Sequence, residues 1–232
     1  MTVRLPAPKA ILFDWDNTLV DNWATIAEAL NVALTAMGHE PWTLAETKLR
    51  VRESMRDSFP RLFGDRWPEA RQIFYDRFVA THLQSLQAKA HADATLRTLG
   101  AAGLYLGVVS NKRGDLLRKE AGHLGWTARF GRMIGAGDAA NDKPAADPVV
   151  MALDGTGLSL DGAVWFVGDT AIDIECARAA GVTALLVGTE HGEESAIAAL
   201  APAALMNDLS ALGGLVEAAG VPIFKHTTPA RG

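Results

Sequence analysis

Cysteine is almost absent from this 232-residue chain. Cys176 stands alone, which rules out an intrachain disulfide and any cluster of thiolate metal ligands. Its setting, IECARAAG, places apolar residues at helical spacing, so a buried structural thiol is expected. Long apolar runs are also missing. None approaches the roughly 20 residues that a membrane-spanning helix needs, and the opening MTVRLPAPKA has no apolar signal core. A cytoplasmic protein with no membrane partner is the expectation. Positive charge is the third shortage: 22 Lys and Arg face 27 Asp and Glu, for a net charge of −5. That balance argues against nucleic acid as a partner, since such binding favours a strongly basic face. An anionic ligand would have to be met by a few local cations. The histidines (His39, His82, His91, His123, His191, His226) show no metal-ligand spacing and read as structural or surface residues.

What is present is ordinary globular material, 49% hydrophobic and 21% charged, enough for one full core and a smaller second one. KAILFD (residues 9–14) reads as a short buried strand. From about 22 to 89 the pattern turns helical, in WATIAEALNVALTAMG and again in PEARQIFYDRFVATHLQSLQ, with no convincing strand. Four of the six tryptophans fall before residue 70, at spacings that suggest core packing. After residue 92 short apolar runs alternate with helical stretches. The runs are LYLGVVS (104–110), RMIGAG (132–137), AVWFVGD (163–169) and TALLVG (183–188), and Gly181 is placed to end the helix before the last of them. Strands alternating with helices imply a parallel sheet. The expected fold is α/β, a Rossmann-like parallel sheet with an inserted α-helical cap. Residues 1–20 and 90–232 would form the core and 21–89 the cap. The tail VPIFKHTTPARG reads as loop or frayed end.

In such sheets ligands bind outside the carboxyl ends of the strands. Three runs end there in polar groups: Asp14, Ser110-Asn111 and Asp169. Asp14, Asp16, Asp169 and Asp173 would gather at one edge, where close carboxylates raise one another's pKa. A hard divalent cation resolves that conflict, and an oxygen-only donor set suits magnesium. Thr18, Ser110, Asn111 and Lys143 face the same edge and make a cradle for a phosphoryl group. A carboxylate attacking a phosphate dianion meets repulsion of about 8 kcal/mol at 4 Å and an effective dielectric near 20, nearly six decades in rate. Magnesium and Lys143 together offset most of it. Asp14 can then serve as nucleophile, and Asp16 as the acid that protonates the leaving oxygen and the base that activates water.

FDWDNTLVD, VVSN, KPAADP and GDTAIDIECARAAG stand in the order and spacing of the four motifs of the haloacid dehalogenase superfamily, which the chain resembles from about residue 9 to 215. The resemblance implies Asp14 as nucleophile and Asp16 as acid/base. It implies Thr18 and Ser110 on phosphate oxygens, Asn111 orienting substrate and Lys143 neutralising charge. Magnesium would sit on the carboxylates of Asp14 and Asp169 and the backbone carbonyl of Asp16, with Asp173 holding a metal-bound water or completing the shell. The insertion after the first motif looks like the helical cap of the phosphoglycolate-phosphatase-like branch. Most relatives carry Leu-Asp-Gly where this chain has Trp15-Asp16-Asn17. Trp15 is expected to point away from the site and pack, and Asn17 to adopt the left-handed conformation that asparagine tolerates. Dehalogenases of the superfamily usually lack the second acid, so Asp16 favours phosphoryl chemistry. Neither cap lysine, Lys48 or Lys89, is a strong candidate for the Schiff-base lysine of a phosphonatase.

The implied activity is magnesium-dependent hydrolysis of a small phosphorylated metabolite, phosphoglycolate-like, through an aspartyl-phosphate, by a monomer or homodimer. A β-phosphoglucomutase-type phosphomutase would use the same acids, and an idle interaction protein on this scaffold is the reading from another class. Each residue also has a plainer role open to it. Asp14 and Asp16 can be turn or capping residues, Ser110-Asn111 a turn, Lys143 a solvated lysine, and Asp173 a first-turn acid favoured by the helix dipole. In the cap, Arg50, Arg52, Arg56 and Arg61 either meet a second anionic group of the substrate or line a solvated face with Glu46, Glu53 and Asp57.

Overall fold

In the strand AILF the side chains alternate between two apolar surroundings, and both faces of the sheet are covered. The computed structural model describes residues 5–51, 54–188 and 199–223. Ile11 and Phe13 of β1 (Ala10–Phe13) enter one core with Leu96, Leu99, Leu117 and Leu212, while Ala10 and Leu12 enter a second with Val149, Ala152, Ile174 and Ala177. All four are fully buried, as expected of a central parallel strand.

β1 is followed by β2 (Val20–Asp21) and by helices α1 (Trp23–Ala36), α2 (Leu44–Arg50), α3 (Met55–Phe63) and α4 (Trp67–Ser85). β3 (Gln87–Ala88) then pairs antiparallel with β2, Val20 opposite Ala88. The chain continues as α5 (Ala92–Ala101), β4 (Tyr105–Arg113), α6 (Gly114–His123), β5 (Arg132–Ala136), α7 (Asp147–Leu153), β6 (Val164–Gly168), α8 (Ala171–Ala179), β7 (Thr183–Val187), β8 (Ala204–Met206) and α9 (Ser210–Ala218). The large sheet has the order β5-β4-β1-β6-β7-β8, parallel throughout, with Ile11 opposite Leu106 on one side and Trp165 on the other. The fold is therefore the expected α/β core with a helical cap inserted after its first strand.

The chain steps from β1 to β4 and β5, then returns to the other side of β1 for β6. The reversal between β1 and β6 opens the crevice at which such sheets bind ligands. Asp14 and Asp169 follow those two strands directly.

Helices α1–α4 carry their own apolar core, with Leu30, Leu34, Phe59, Phe63, Phe74 and Phe78. Local signals set their ends. Thr43 and Glu46 form a reciprocal capping box on α2, and Pro68 sits in the first turn of α4, where a missing N–H costs nothing.

Several sequence expectations need adjustment. The second core strand runs three residues past Ser110, to Arg113, with a register shift against β5 between Val109 and Arg113. Strands β2, β3 and β8 were not expected. Each has two or three residues, too few to show an alternation. Of the early tryptophans, Trp15 and Trp23 are buried, but Trp42 and Trp67 are only half-buried. Cys176 is buried as expected, its thiol donating to the Ala145 carbonyl at 3.1 Å. Burial pushes that thiol up to about 12, which keeps it un-ionised and inert. The end of the tail, residues 224–232, lies outside the described residues.

Candidate active site

Lys143 is the centre of the site. It lies in the loop between β5 and α7, 4% exposed, and its ammonium donates to Asp14 Oδ1 at 2.7 Å and to Asp173 Oδ1 at 2.6 Å. Asp14, Asp169 and Asp173 are all buried, each with an oxygen within 4.8 Å of the others'. Asp173 owes its position to the start of α8. Its Oδ2 accepts from the backbone N–H groups of Asp169 (3.1 Å) and Thr170 (3.0 Å) and from the Thr170 hydroxyl (2.7 Å). The absence of a side chain at Gly168 makes this possible, because a Cβ there would collide with the Asp173 carboxyl. With Oδ1 on Lys143 and three donors on Oδ2, Asp173 organises the cluster. Asp14 and Asp169 retain the free oxygen capacity.

The electrostatics are unbalanced. Burial pushes the Asp14 carboxyl up to about 6; Lys143 pulls it down and Asp173 pushes it up. Burial likewise drives Asp169 well above the ordinary carboxylate range, reinforced by Asp173 and Asp14. One ammonium does not neutralise three buried acids. The donor set is all oxygen, which fits a hard divalent cation.

Thr18, Ser110 and Asn111, expected around a phosphoryl group, lie at this edge with partners of their own. Thr18 is buried, and its hydroxyl donates to Asp169 Oδ1 at 3.0 Å. Ser110 is buried at the irregular stretch of β4, accepting from the Lys112 N–H at 3.3 Å. Asn111 clamps the lysine loop: its Nδ2 donates to the Lys143 carbonyl and its Oδ1 accepts from the Lys143 N–H, both at 3.0 Å. Asn111 thereby fixes the Lys143 backbone. Asn17 has φ 67°, the left-handed conformation expected of it.

Asp16 belongs to a second, buried network. Its carboxylate accepts from Lys112 Nζ at 2.9 and 3.1 Å and from Asn22 Nδ2 at 2.7 Å. Lys112 also pairs with Glu120 at 3.2 Å. Glu120, fully buried, accepts from Trp15 Nε1 at 2.7 Å and from Asn22 at 3.3 Å, and is bonded to His82 Nδ1 at 2.7 Å. Burial alone would lower the Lys112 ammonium, but Asp16 and Glu120 outweigh it and raise its pKa. Trp15 thus packs away from the site as expected, edge-on against Trp126 and Phe130, and also ties its indole to this network. Lys112, Glu120, His82 and Asn22 were not singled out as site residues by the sequence reading. Two of them carried a signal. Glu120 follows Leu116 and Leu117 on the buried face of α6, and His82 continues the four-residue spacing of Ala70, Phe74 and Phe78 on α4.

A cavity of about 440 Å³ lies between these groups and α1–α4. Arg50 and Arg61 line it. Arg56 instead pairs with Asp142 at 3.5 Å, and Arg52 lies outside the described residues. Among the described residues no helix is long and apolar enough to cross a membrane.

Comparison with known proteins agrees with this geometry. The family model described as haloacid dehalogenase-like hydrolase matches residues 11–187. A phosphoglycolate phosphatase of Xanthomonas campestris pv. campestris (strain 8004) is 31% identical over 193 residues, 81% of this chain and 87% of the relative. The phosphoglycolate phosphatase of Rhodospirillum rubrum is 31% identical over 218 residues, 89% and 90% of the two chains. Among solved structures, a HAD-superfamily hydrolase from Ehrlichia chaffeensis superposes with a TM-score of 0.63 at 25% identity, covering 91% of this chain and 97% of its own. A haloacid dehalogenase-like hydrolase from Streptococcus pneumoniae reaches 0.79 at 22% identity, covering 89% and 97%. On sequence and fold together, the chain belongs to the haloacid dehalogenase-like hydrolases, in the phosphoglycolate-phosphatase-like branch with a helical cap.

Proposed function

We propose that this hydrolase is a magnesium-dependent phosphomonoesterase that works through an aspartyl-phosphate on Asp14. The activity of its relatives makes phosphoglycolate the first substrate to try. The observation that carries the reading is the buried Asp14 carboxylate, held at 2.7 Å by Lys143 beside Asp169. An Asp14 oxygen attacks phosphorus as the bond from phosphorus to the ester oxygen breaks, and Asp16 gives that oxygen its proton. Asp16 then takes a proton from water, which attacks the same phosphorus and releases Asp14 and inorganic phosphate. Lys143 holds Asp14 in place and offsets charge on the transferring group. Thr18 and Ser110 contribute hydroxyls to the phosphoryl oxygens. Asp14, Asp169 and the Asp16 carbonyl, with Asp173 behind them, would hold magnesium, which would supply charge neutralisation at the phosphoryl group.

The test is phosphate release from a panel of phosphomonoesters with magnesium and with chelator. Release that requires magnesium supports the reading. No release from any ester, or release indifferent to chelator, refutes it. Phosphoryl exchange seen only after a sugar bisphosphate is added would identify a mutase instead.

The folded-state pKa of Asp14, about 6, lies above the ordinary 3.8. Its contribution to stability is therefore full below about 4 and is lost as pH rises through about 6. The loss is on the order of 3 kcal/mol, and Asp169 acts in the same direction. A divalent cation relieves the strain only where these acids are ionised. Millimolar magnesium should raise Tm at pH 7.5 by about 3 °C or more, and by clearly less at pH 5. Equal shifts at the two pH values would count against these acids as the metal site.

A further inference from the structure

The roof of the cavity differs in kind from its floor. Asp14, Lys143 and Asp169 lie at the bottom. Above them, Ile26 of α1, Trp42 before α2, Met55 and Leu62 of α3 and Tyr75 of α4 reach the cavity, and all five are half-buried. Such side chains gain about 25 cal/mol for each Å² of apolar surface that a ligand removes from water. A short, carboxylate-bearing ester group would give them nothing and would need a cation.

The described cations on the cavity wall are already engaged. Lys112 lies between Asp16 and Glu120. Arg113 grips Asp115 at 2.5 and 2.8 Å and lies over the Tyr75 ring at 4.3 Å. Arg50 pairs with Glu46 at 3.2 Å and covers the Trp42 ring at 4.6 Å. Arg61 has a partner of its own. Drawing Lys112, Arg113 or Arg50 onto a substrate carboxylate would cost its present ion pair. Volume points the same way, since a cavity of about 440 Å³ has room for far more than a two-carbon acid beside the phosphate.

We infer that the substrate carries its phosphate on a bulky, largely apolar alcohol, aromatic or branched aliphatic, whose body packs under Trp42, Leu62 and Tyr75. This rests on the phosphomonoesterase reading for the site and names the ester group that the site takes, in place of glycolate.

Two assays test it separately. The first compares kcat/KM for 2-phenylethyl phosphate, ethyl phosphate and phosphoglycolate with magnesium. All three are alkyl esters, so binding of the ester group dominates the ranking over leaving-group reactivity. The phenylethyl ester should exceed each of the others by at least about tenfold. The second measures calorimetric binding of phosphonates that cannot be hydrolysed, 3-phenylpropylphosphonate against 3-phosphonopropionate, to the magnesium-loaded protein. The arylalkyl compound should bind at least about tenfold tighter. Trp42→Ala and Leu62→Ala should each narrow both preferences severalfold.

Tighter binding or faster turnover of the carboxylate compounds overturns the inference. So does an aryl preference that both variants leave intact. If the binding preference holds but no ester is hydrolysed, the phosphomonoesterase reading fails while the apolar pocket stands.

Discussion

Asparagine in place of Asp14 should abolish magnesium-dependent phosphate release, with a fall in kcat of about four decades or more. The substitution keeps shape and volume but removes the oxygen nucleophile, and an amide does not form the acyl phosphate. It also removes one of three clustered buried acids, two of which, Asp14 and Asp169, are pushed up by burial and by the neighbouring carboxylates. The metal-free variant should therefore be at least as stable at pH 7.5 as the parent, even though Lys143 keeps only Asp173 as an ion-pair partner. Inactivity with an undiminished Tm isolates chemistry from folding. Residual activity within a hundredfold of the parent would remove Asp14 as nucleophile and leave it a metal or positioning residue.

The largest loss of stability is expected at Glu120. Alanine there deletes the acceptor that holds Trp15 Nε1, Asn22 Nδ2 and His82, and one of two carboxylates beside Lys112. Those groups are buried, so water does not replace what is lost. Breaking a buried pair on one side costs about 3–5 kcal/mol, read as a lower denaturation midpoint with an unchanged slope. Glu120→Gln keeps the shape and some of the hydrogen bonds and should cost less than alanine. An alanine variant within about 1 kcal/mol of the parent, no more than an ordinary hydrogen bond, would mean that the network is not carrying stability.

The parallel sheet was legible because its strands are buried on both faces. ILF, LGVV, WFVG and ALLV are continuous apolar runs, and each ends at the edge that holds the acids. The gathering of Asp14, Asp169 and Asp173 at one edge followed from that pattern; the burial of Lys143 did not. Nor did the division of labour among them. That Asn111 grips the Lys143 backbone, and Thr18 donates to Asp169, depends on loop geometry that residue types do not encode. The Lys112–Glu120–His82 network was hidden for another reason. A lysine, a glutamate and a histidine tens of residues apart look like solvated side chains one at a time. Only the apolar faces around Glu120 and His82 betray that two of them point inward. The cap wall escaped too, because Trp42, Leu62 and Tyr75 have the spacing of helix core residues and the cavity borrows them.

The two-residue ladder of Val20–Asp21 with Gln87–Ala88 has a consequence of its own. Departure and return of the chain are laced side by side, so everything between them is a parenthesis in the sentence of the sheet. Closing so long a detour adds little entropy beyond that of a short one, since the cost grows only logarithmically with length. A lineage can lengthen, trim or exchange the parenthetical stretch without moving a ladder hydrogen bond of the six-stranded sheet. The three clustered acids stand on the sheet's side of that seam and most of the cavity's apolar wall on the other. The two sides meet where His82 and Asn22 reach Glu120, where Arg56 pairs with Asp142 and where Arg113 lies over Tyr75.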